Sequence, residues 1–237
     1  YGVEPTWFGL GDRDIGTHLV RTTSLNAGYP LSHVTEALCE RWQPGVHLIP
    51  MTDDRAETHV IVDDPDNPGT DIALHFQEWW IRYRASLPAR RFVIVGIEEA
   101  TPAPGVVDAL RNADVIVLPP SNPIVSIGPL LAVPTLQELV EARRDRNVAV
   151  SPIIGGAALK GPADRMLREL GEESSVVGVA RRYRDLAATL VIDEVDRELA
   201  SAVEDAGMRP IVMPTIMKQP GVAAALARAC HDAATGV

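Results

Sequence analysis

Two short runs of branched apolar residues stand out along the chain, at 114–118 and 147–150. Each run predicts a strand that is buried on both faces. Each is followed by a loop of Ser, Asn, Gly and Pro and then by a helical pattern. Two such units joined by a helix are typical of neighbouring parallel strands in an α/β sheet, whose carboxyl ends lie at one edge. We therefore expect both loops to face one crevice.

The rest of the chain predicts a mixed α/β protein. Ahead of these runs we expect a strand or extended segment over 1–11, helices starting near Asp12 and Tyr29, a strand over 46–51 and a hairpin over 58–79. A strand at 92–96 and a helix at 103–112 then lead to the first run, and a helix at 135–146 joins the two runs. After the second run we expect helices at 162–170, 174–184, 194–206 and 220–234 and strands at 189–192 and 210–213. Thr135 and Glu138 have the spacing of a capping box. The predicted fold class is a Rossmann-like three-layer sandwich with a mostly parallel sheet and an inserted small α+β subdomain. We predict two domains. Residues 1–90 contain a partial Rossmann entry and the inserted helical and hairpin subdomain, and residues 91–237 form the Rossmann-like nucleotide-binding core.

The two loops have the chemistry of an anion site. Gly155 and Gly156 allow positive φ and a close approach of the backbone to a ligand. We expect Gly161 to cap a helix whose first turn contains Pro162, so that free N–H groups and the helix dipole favour a phosphate there. Lys160 adds a positive charge. The other loop supplies short polar side chains, from Ser121, Asn122 and Ser126. The alternative is that both loops are ordinary strand-to-helix turns, in which these residue types are common.

Composition and charge limit the classes of partner. The 237 residues include 22 Lys and Arg against 32 Asp and Glu, a net charge of −10. This balance argues against a nucleic acid or an acidic membrane as the principal partner, although a local basic pocket for a phosphorylated small molecule is compatible with it. The sequence has no apolar run long enough to span a membrane and no signal-peptide pattern, so we expect a cytoplasmic protein. Cys39 and Cys230 are far apart and lack metal-ligand spacing.

Two polar motifs have both a functional and a structural interpretation. In Gly11-Asp12-Arg13-Asp14 the carboxylates could hold the guanidinium of Arg13 ready for a ring carbonyl or a phosphate. The motif is equally explained as a capped, solvated helix start, with Asp12 or Asp14 as the cap. Asp53-Asp54 could hold a metal, but it also has the character of a turn.

Half of the tryptophans lie in the run His75-Phe76-Gln77-Glu78-Trp79-Trp80. In a strand, alternation would place His75, Gln77 and Trp79 on one face and Phe76, Glu78 and Trp80 on the other. An aromatic wall with polar neighbours suits a flat heterocycle. Packing beneath the insert is the alternative explanation.

Taken together, these motifs resemble one family, the 2-phospho-L-lactate transferases (CofD/FbiA type) of coenzyme F420 biosynthesis. The resemblance covers essentially the whole chain in the family's order. It rests on Leu-Gly-Asp-Arg-Asp (10–14), Pro-Met-Thr-Asp-Asp (50–54), His-Phe-Gln-Glu-Trp-Trp (75–80), Pro-Ser-Asn-Pro (120–123), Ser-Ile-Gly-Pro (126–129), Ser-Pro-Ile-Ile-Gly-Gly (151–156) and Lys-Gly-Pro-Ala-Asp (160–164).

The resemblance implies an enzyme that moves a phosphoenolpyruvyl or 2-phospho-L-lactyl group from a guanosine diphospho donor to the deazaflavin Fo, with release of GMP. It also implies Mg²⁺ and a homodimer. Arg13 falls on the family's deazaflavin-binding position, and we group Asp12 and Trp80 with it. The loop residues fall where the family holds the nucleotide: Ser121, Asn122, Ser126, Gly155, Gly156 and Lys160. The alternative function is a nucleotide-sugar-binding regulatory protein of the same fold without catalysis.

The chain departs from the family pattern at its start. Family members begin with a strand, a glycine-rich loop and acidic metal ligands, whereas Tyr1 matches a point well inside that pattern. We therefore expect the metal ligands to lie in an amino-terminal segment that this sequence lacks. No residue of the sequence is assigned as the general base.

Overall fold

A computed structural model of the chain describes residues 4–236. Strands and helices alternate over most of this length. The strands are β1 Glu57–Asp63, β2 Asp71–His75, β3 Ala89–Val95, β4 Ile116–Leu118, β5 Asn147–Val150, β6 Ile153–Ile154, β7 Ala157–Ala158, β8 Thr189–Ile192 and β9 Arg209–Val212. The helices are α1 Asp12–Asn26, α2 Leu31–Trp42, α3 Val106–Asn112, α4 Gly128–Ala132, α5 Leu136–Glu141, α6 Ala163–Glu169, α7 Val176–Tyr183, α8 Ala200–Asp205 and α9 Val222–Thr235. Short 3₁₀ turns (97–99, 144–146, 194–199) and π-helical turns (78–82, 123–127) connect them.

The core of the molecule is a four-stranded parallel sheet in the order β4-β5-β8-β9. Every residue of β5 and β8 is buried, including the polar Asn147 and Thr189, as expected for strands covered on both faces. On one face Val148, Val150 and Val191 pack with Leu226 and Cys230 of α9. The opposite face packs against α6, α7 and α8. Helices therefore cover both faces of the sheet, and the predicted Rossmann-like fold class is confirmed.

A second, antiparallel sheet has the order β2-β1-β3. Its β1 and β2 form the predicted hairpin. The expected strand at 92–96 is present as β3, but it pairs with β1 and not with the parallel sheet. The division of the chain at residue 90 stays a prediction.

The predicted strand through Trp80 is wrong beyond His75, where the chain turns into a π-helical turn. Trp79 is fully buried there, and its indole Nε1–H donates to the Leu87 carbonyl oxygen at 2.8 Å. Its ring lies 6.0 Å from those of Phe76 and Phe92, centroid to centroid. Trp79 and Phe76 therefore share one cluster, which contradicts the alternating faces expected of a strand.

The predicted strand over 46–51 is also wrong. This segment has no regular pairing, and Val46 and Leu48 are exposed. Thr52 makes only an isolated bridge to Pro102. The apolar run lies along the surface, so its composition alone does not make it a strand.

Two helix starts differ from expectation. Thr135 does not cap α5 with its side chain, because the residue adopts a φ of +74° and makes no capping hydrogen bond. The helix is also shorter than predicted and ends at Glu141. At α1 the N-cap residue is Gly11, and the carboxylate of Asp14 accepts its N–H at 3.3 Å. Asp14 thus stabilises the helix start from within the first turn.

Residues 4–11 contain no strand. The part of the predicted opening segment at 1–3 lies outside the described residues. Among the helices that the structure describes, none is long and apolar enough to cross a membrane.

Candidate functional site

The loops that follow β4 and β5 lie side by side. The two strands are parallel neighbours, with Leu118 opposite Ala149 at their carboxyl ends. The two loops, 119–126 and 151–162, line common clefts. The expectation that both loops face one crevice is therefore confirmed.

The first cleft, which we call the lysine cleft, has a volume of about 400 Å³. The loops after β4, β5 and β9 supply its walls, with polar groups from Asn122, Ser151 and Thr215 among apolar neighbours. Lys160 and Lys218 both line it, and they are the two lysines of the whole chain. No Asp or Glu is among the described residues that line it. A protein of net charge −10 thus has a cleft whose charged side chains are both cationic.

The second cleft, the aromatic cleft, adjoins the first and has a volume of about 370 Å³. Phe76 and Trp80 line it, together with Ser121 and Ser126. The two clefts share three residues, which are Pro120, Asn122 and Lys160. The structure thus brings together five of the predicted site residues: Trp80, Ser121, Asn122, Ser126 and Lys160.

Asn122 has a structural task within the site. Its side-chain oxygen accepts the N–H groups of Ile124 at 2.8 Å and Val125 at 3.2 Å, and so caps the π-helical turn after β4. Its Nδ2 lies 3.2 Å from the Met166 sulfur. The residue holds the loop in shape, and its predicted contact with a nucleotide stays a prediction.

Gly155 and Gly156 form the two-residue turn between β6 and β7, with φ of +58° and +80°. Positive φ at both positions is typical of a type I′ hairpin turn. The Gly155 N–H donates to the Asp196 carboxylate oxygens at 3.1 and 3.0 Å, so this donor is already used inside the protein. Neither glycine lines the two clefts. Their geometry explains the glycines without a phosphate, and their ligand role stays a prediction.

The helix after Lys160 starts one residue later than expected. Pro162 is the N-cap of α6 and uses its carbonyl oxygen to accept the Met166 N–H at 2.8 Å. Gly161, with φ of +74°, precedes it as a turn residue. The expectation that Gly161 caps this helix is therefore wrong.

Arg13 and Asp12 lie on α1, exposed and outside both clefts. Asp12 accepts the backbone N–H of Arg13 at 2.9 Å. Within residues 4–236 no carboxylate makes an ion pair with the Arg13 guanidinium. The idea that the two Asp side chains hold this guanidinium in place is thus not supported.

A buried carboxylate that the sequence analysis missed fixes the third wall of the lysine cleft. Asp193, directly after β8, accepts the Thr215 N–H at 2.8 Å and the Thr215 hydroxyl at 2.9 Å, both at Oδ2. Its Oδ1 accepts the Val195 N–H at 3.1 Å. Burial raises the pKa of this carboxyl, but the hydrogen bonds from Thr215 and Val195 outweigh it and hold the pKa below its ordinary value. The loop bearing Lys218 is therefore fixed at its start to the edge of the sheet.

The described residues do not supply a metal site. No group of three or more His, Cys, Asp or Glu side chains among them is placed to hold an ion. Asp53 accepts from the N–H and hydroxyl of Ser32, at 2.6 and 2.8 Å. Asp54 accepts from the N–H and hydroxyl of Thr101, at 2.7 and 2.9 Å, and these bonds lower its pKa. Both carboxylates thus join the turn to other segments, Asp53 to the start of α2 and Asp54 to Thr101, in line with the structural interpretation of this pair.

Comparison with known proteins identifies the family. Residues 5–230 match the family model described as "2-phospho-L-lactate transferase CofD". The chain is 52% identical to a phosphoenolpyruvate transferase of Thermobifida fusca over 235 residues, which cover 99% of this chain and 70% of the relative. It is 48% identical to a protein of the same name from Nocardia farcinica over 234 residues, covering 99% and 70% of the two chains. A third protein of that name, from Streptomyces griseus, is 51% identical over 238 residues, covering 100% and 74%.

Solved structures support the fold. A UPF0052 family protein from Bacillus halodurans superimposes with a TM-score of 0.61 at 17% identity, covering 94% of this chain and 74% of that one. At this identity the likeness concerns the fold alone. The sequence relatives and the family model go further and confirm the predicted resemblance and an enzyme of the transferase class. The chain therefore belongs to the CofD family, the 2-phospho-L-lactate transferases of coenzyme F420 biosynthesis.

Proposed function

We propose that this protein transfers a phosphoenolpyruvyl group from a guanosine diphospho donor to the deazaflavin Fo, with GMP as the leaving product. A 2-phospho-L-lactyl donor is the variant of the same reaction, and the name shared by the three relatives favours the enolpyruvyl form. The observation that carries the proposal is the joining of two clefts with different chemistry. One has both lysines, the other has the aromatic side chains, and Lys160 belongs to both.

The lysine cleft suits the diphosphate of the donor. An acidic protein repels anions over most of its surface, so a ligand carrying several negative charges is favoured where lysines occur without carboxylates. The remaining wall is largely apolar, from Ile154, Leu159, Ile216 and Met217. Such a wall lowers the local dielectric and strengthens the attraction between ammonium and phosphate.

The aromatic cleft suits the planar acceptor. The rings of Phe76 and Trp80 offer flat apolar surface, and Ser121 and Ser126 offer hydroxyl groups at the same wall. Trp80 is 37% exposed, so part of its ring is available to a ligand. Arg13 and Asp12 remain proposed acceptor contacts from the family resemblance, and their position on α1 adds no support.

The reaction needs positioning and charge neutralisation more than covalent help from the protein. The terminal ribityl oxygen of Fo attacks the phosphorus that bears the enolpyruvyl group and forms a new P–O bond. The P–O bond to the GMP phosphate breaks, and the hydroxyl proton leaves to water. Lys160, at the junction of the two clefts, would offset the negative charge on the phosphoryl group between acceptor and leaving group.

Mg²⁺ and a homodimer stay predictions from the family resemblance. Because the described residues supply no metal cluster, no step above depends on the metal. Dependence of turnover on added Mg²⁺ and the mass in solution test the two predictions. The cytoplasm is the proposed location.

The test combines acceptor binding with product detection. Fo is titrated by its fluorescence into this 237-residue chain and into the Thermobifida fusca relative as a reference. Each protein is then incubated with Fo and each donor, and the coupled product and GMP are detected by mass. We expect a fluorescence change and product with the enolpyruvyl donor. Guanosine nucleotide binding without Fo binding or product would instead favour the non-catalytic nucleotide-binding alternative.

A further inference from the structure

The two lysines reach one cleft from separate parts of the chain. Lys160 belongs to the loop after β5, and Lys218 to the loop after β9 at the far edge of the sheet. Both side chains are exposed, and within the described part of the chain neither makes an ion pair. Many arginines, in contrast, are paired with carboxylates or donate to carbonyl oxygens, as Arg144 does to Gly207 at 2.9 Å. The lysines are thus the cations of the cleft that remain available to a ligand.

The loop that carries Lys218 has a fixed start and an exposed end. Thr215 is 5% exposed and Asp193 is 6% exposed, and the two hydrogen bonds between them join the loop to the end of β8. Two and three residues after Thr215, Met217 and Lys218 are exposed to solvent. This arrangement places the backbone of Lys218 at the cleft, while its long side chain can adjust to a ligand.

We propose that Lys218 is a second cation for the phosphate groups of the ligand in the lysine cleft, and that Asp193 and Thr215 position it. An ammonium is a compact charge on a flexible stem, so two lysines from different loops can contact one diphosphate without a fixed fork geometry. The inference that the ligand contains guanosine rests on the proposed function. The inference that the cleft binds a phosphate-bearing anion rests on the geometry and charge of the cleft alone.

The binding of GDP and of inorganic pyrophosphate to the 237-residue chain tests the role of Lys218. Calorimetry compares the unaltered protein with Lys218→Ala, Lys160→Ala and the double variant, each at low and high salt. Arg228→Ala is the matched control, because it removes an exposed positive charge on α9 outside both clefts. We expect Lys218→Ala to lower the affinity for both ligands by about tenfold and to make that affinity less dependent on salt. The affinities of the Arg228→Ala control should stay within about twofold of those of the unaltered protein.

The outcomes separate this inference from the proposed function. If GDP binds and Lys218→Ala leaves its affinity within twofold of the unaltered protein, Lys218 is not a ligand contact although the donor assignment stands. If pyrophosphate binds through both lysines and GDP adds no affinity, the cation pair stands and the guanosine donor is lost. If neither ligand binds, both proposals fail.

Thr215→Val and Thr215→Ser test the positioning role. The valine variant removes the hydroxyl donor to Asp193, and serine restores it. We expect Thr215→Val to weaken pyrophosphate binding several-fold and Thr215→Ser to recover most of the loss. In the Lys218→Ala background, Thr215→Val should have no further effect on binding. A further loss there would show that Thr215 acts on the site by another route.

Discussion

The Gly155 N–H donates to both carboxylate oxygens of Asp196, at 3.1 and 3.0 Å, across 41 residues of sequence. Asp196 is 5% exposed, so its side chain lies inside the protein. The bond ties the tip of the β6–β7 hairpin to the 3₁₀ turn after β8. The hairpin forms part of the cleft wall, through Ile154 and Ala158. A structural hydrogen bond thereby sets the shape of the proposed donor site.

Replacing Asp196 by Ala should therefore destabilise the protein. The change leaves the Gly155 N–H without its acceptor, at a cost of about 1–3 kcal/mol. Urea unfolding measures the loss, and Asp196→Asn is the matched control because it keeps one acceptor oxygen. If Asp196→Ala is as stable as the unaltered protein, the hydrogen bond between Gly155 and Asp196 does not stabilise the fold.

Replacing Trp79 and replacing Trp80 should have different effects, the first on stability and the second on ligand binding. Trp79→Ala removes a fully buried ring and the donor to Leu87, so we expect a loss of about 3–5 kcal/mol in unfolding free energy. Trp80→Ala removes a half-exposed ring from the aromatic cleft, so its stability cost should be less than about 1 kcal/mol.

The same Trp80→Ala variant should weaken Fo binding, measured by Fo fluorescence, and leave GDP binding nearly unchanged. Its ring lines the aromatic cleft and not the lysine cleft. If Fo affinity is unaffected while the fold is intact, the acceptor does not occupy the aromatic cleft.

The sheet was predictable because its signal is local. Each of the runs at 147–150 and 189–192 starts with one polar residue, Asn147 or Thr189, and continues with three apolar residues, and both are strands that are buried throughout. The rule that loops after parallel strands meet at one edge then placed Ser121, Asn122, Ser126 and Lys160 together correctly.

What the sequence did not reveal involves hydrogen-bond partners and cleft residues that lie outside the local pattern. Trp79 leaves the strand pattern because its indole donates to Leu87 across a turn, which no alternation of residues reveals. The acceptor of the Gly155 N–H, Asp196, lies 41 residues away and was not foreseen, and the ligand role of this glycine stays a prediction. Lys218 was missed although a signal existed. It follows the last strand of the sheet, and applying the same edge rule to β9 would have placed it in the cleft.

Arg13→Ala should weaken Fo binding by roughly tenfold while guanosine-nucleotide binding stays nearly intact, if the family position holds for this chain. The side chain is exposed and without an ion pair among the described residues, so its removal should change stability by less than about 0.5 kcal/mol. Arg41→Ala, on the neighbouring helix α2, is the matched control. Equal loss of both ligands would show that Arg13 acts through the structure.

Acid should remove the contribution of Asp193 to stability. Its pKa lies below the ordinary value in the folded protein, so the ionised form is favoured by folding. That contribution is complete above the unfolded pKa and is lost as the pH falls below about 4 and through the folded pKa. Asp193→Asn lacks it at every pH, because the amide is uncharged and offers one acceptor oxygen to donors from Thr215 and Val195 that now use two.

We therefore expect Asp193→Asn to be less stable than the unaltered protein by about 1–3 kcal/mol at pH 7. The difference should shrink as the pH falls towards 3, because the unaltered protein then loses the same charge. Urea unfolding across this pH range measures it, with Thr215→Val as the control that removes only one of the two bonds. A difference that stays constant down to pH 3 would mean that Asp193 stabilises the fold by shape and not by its charge.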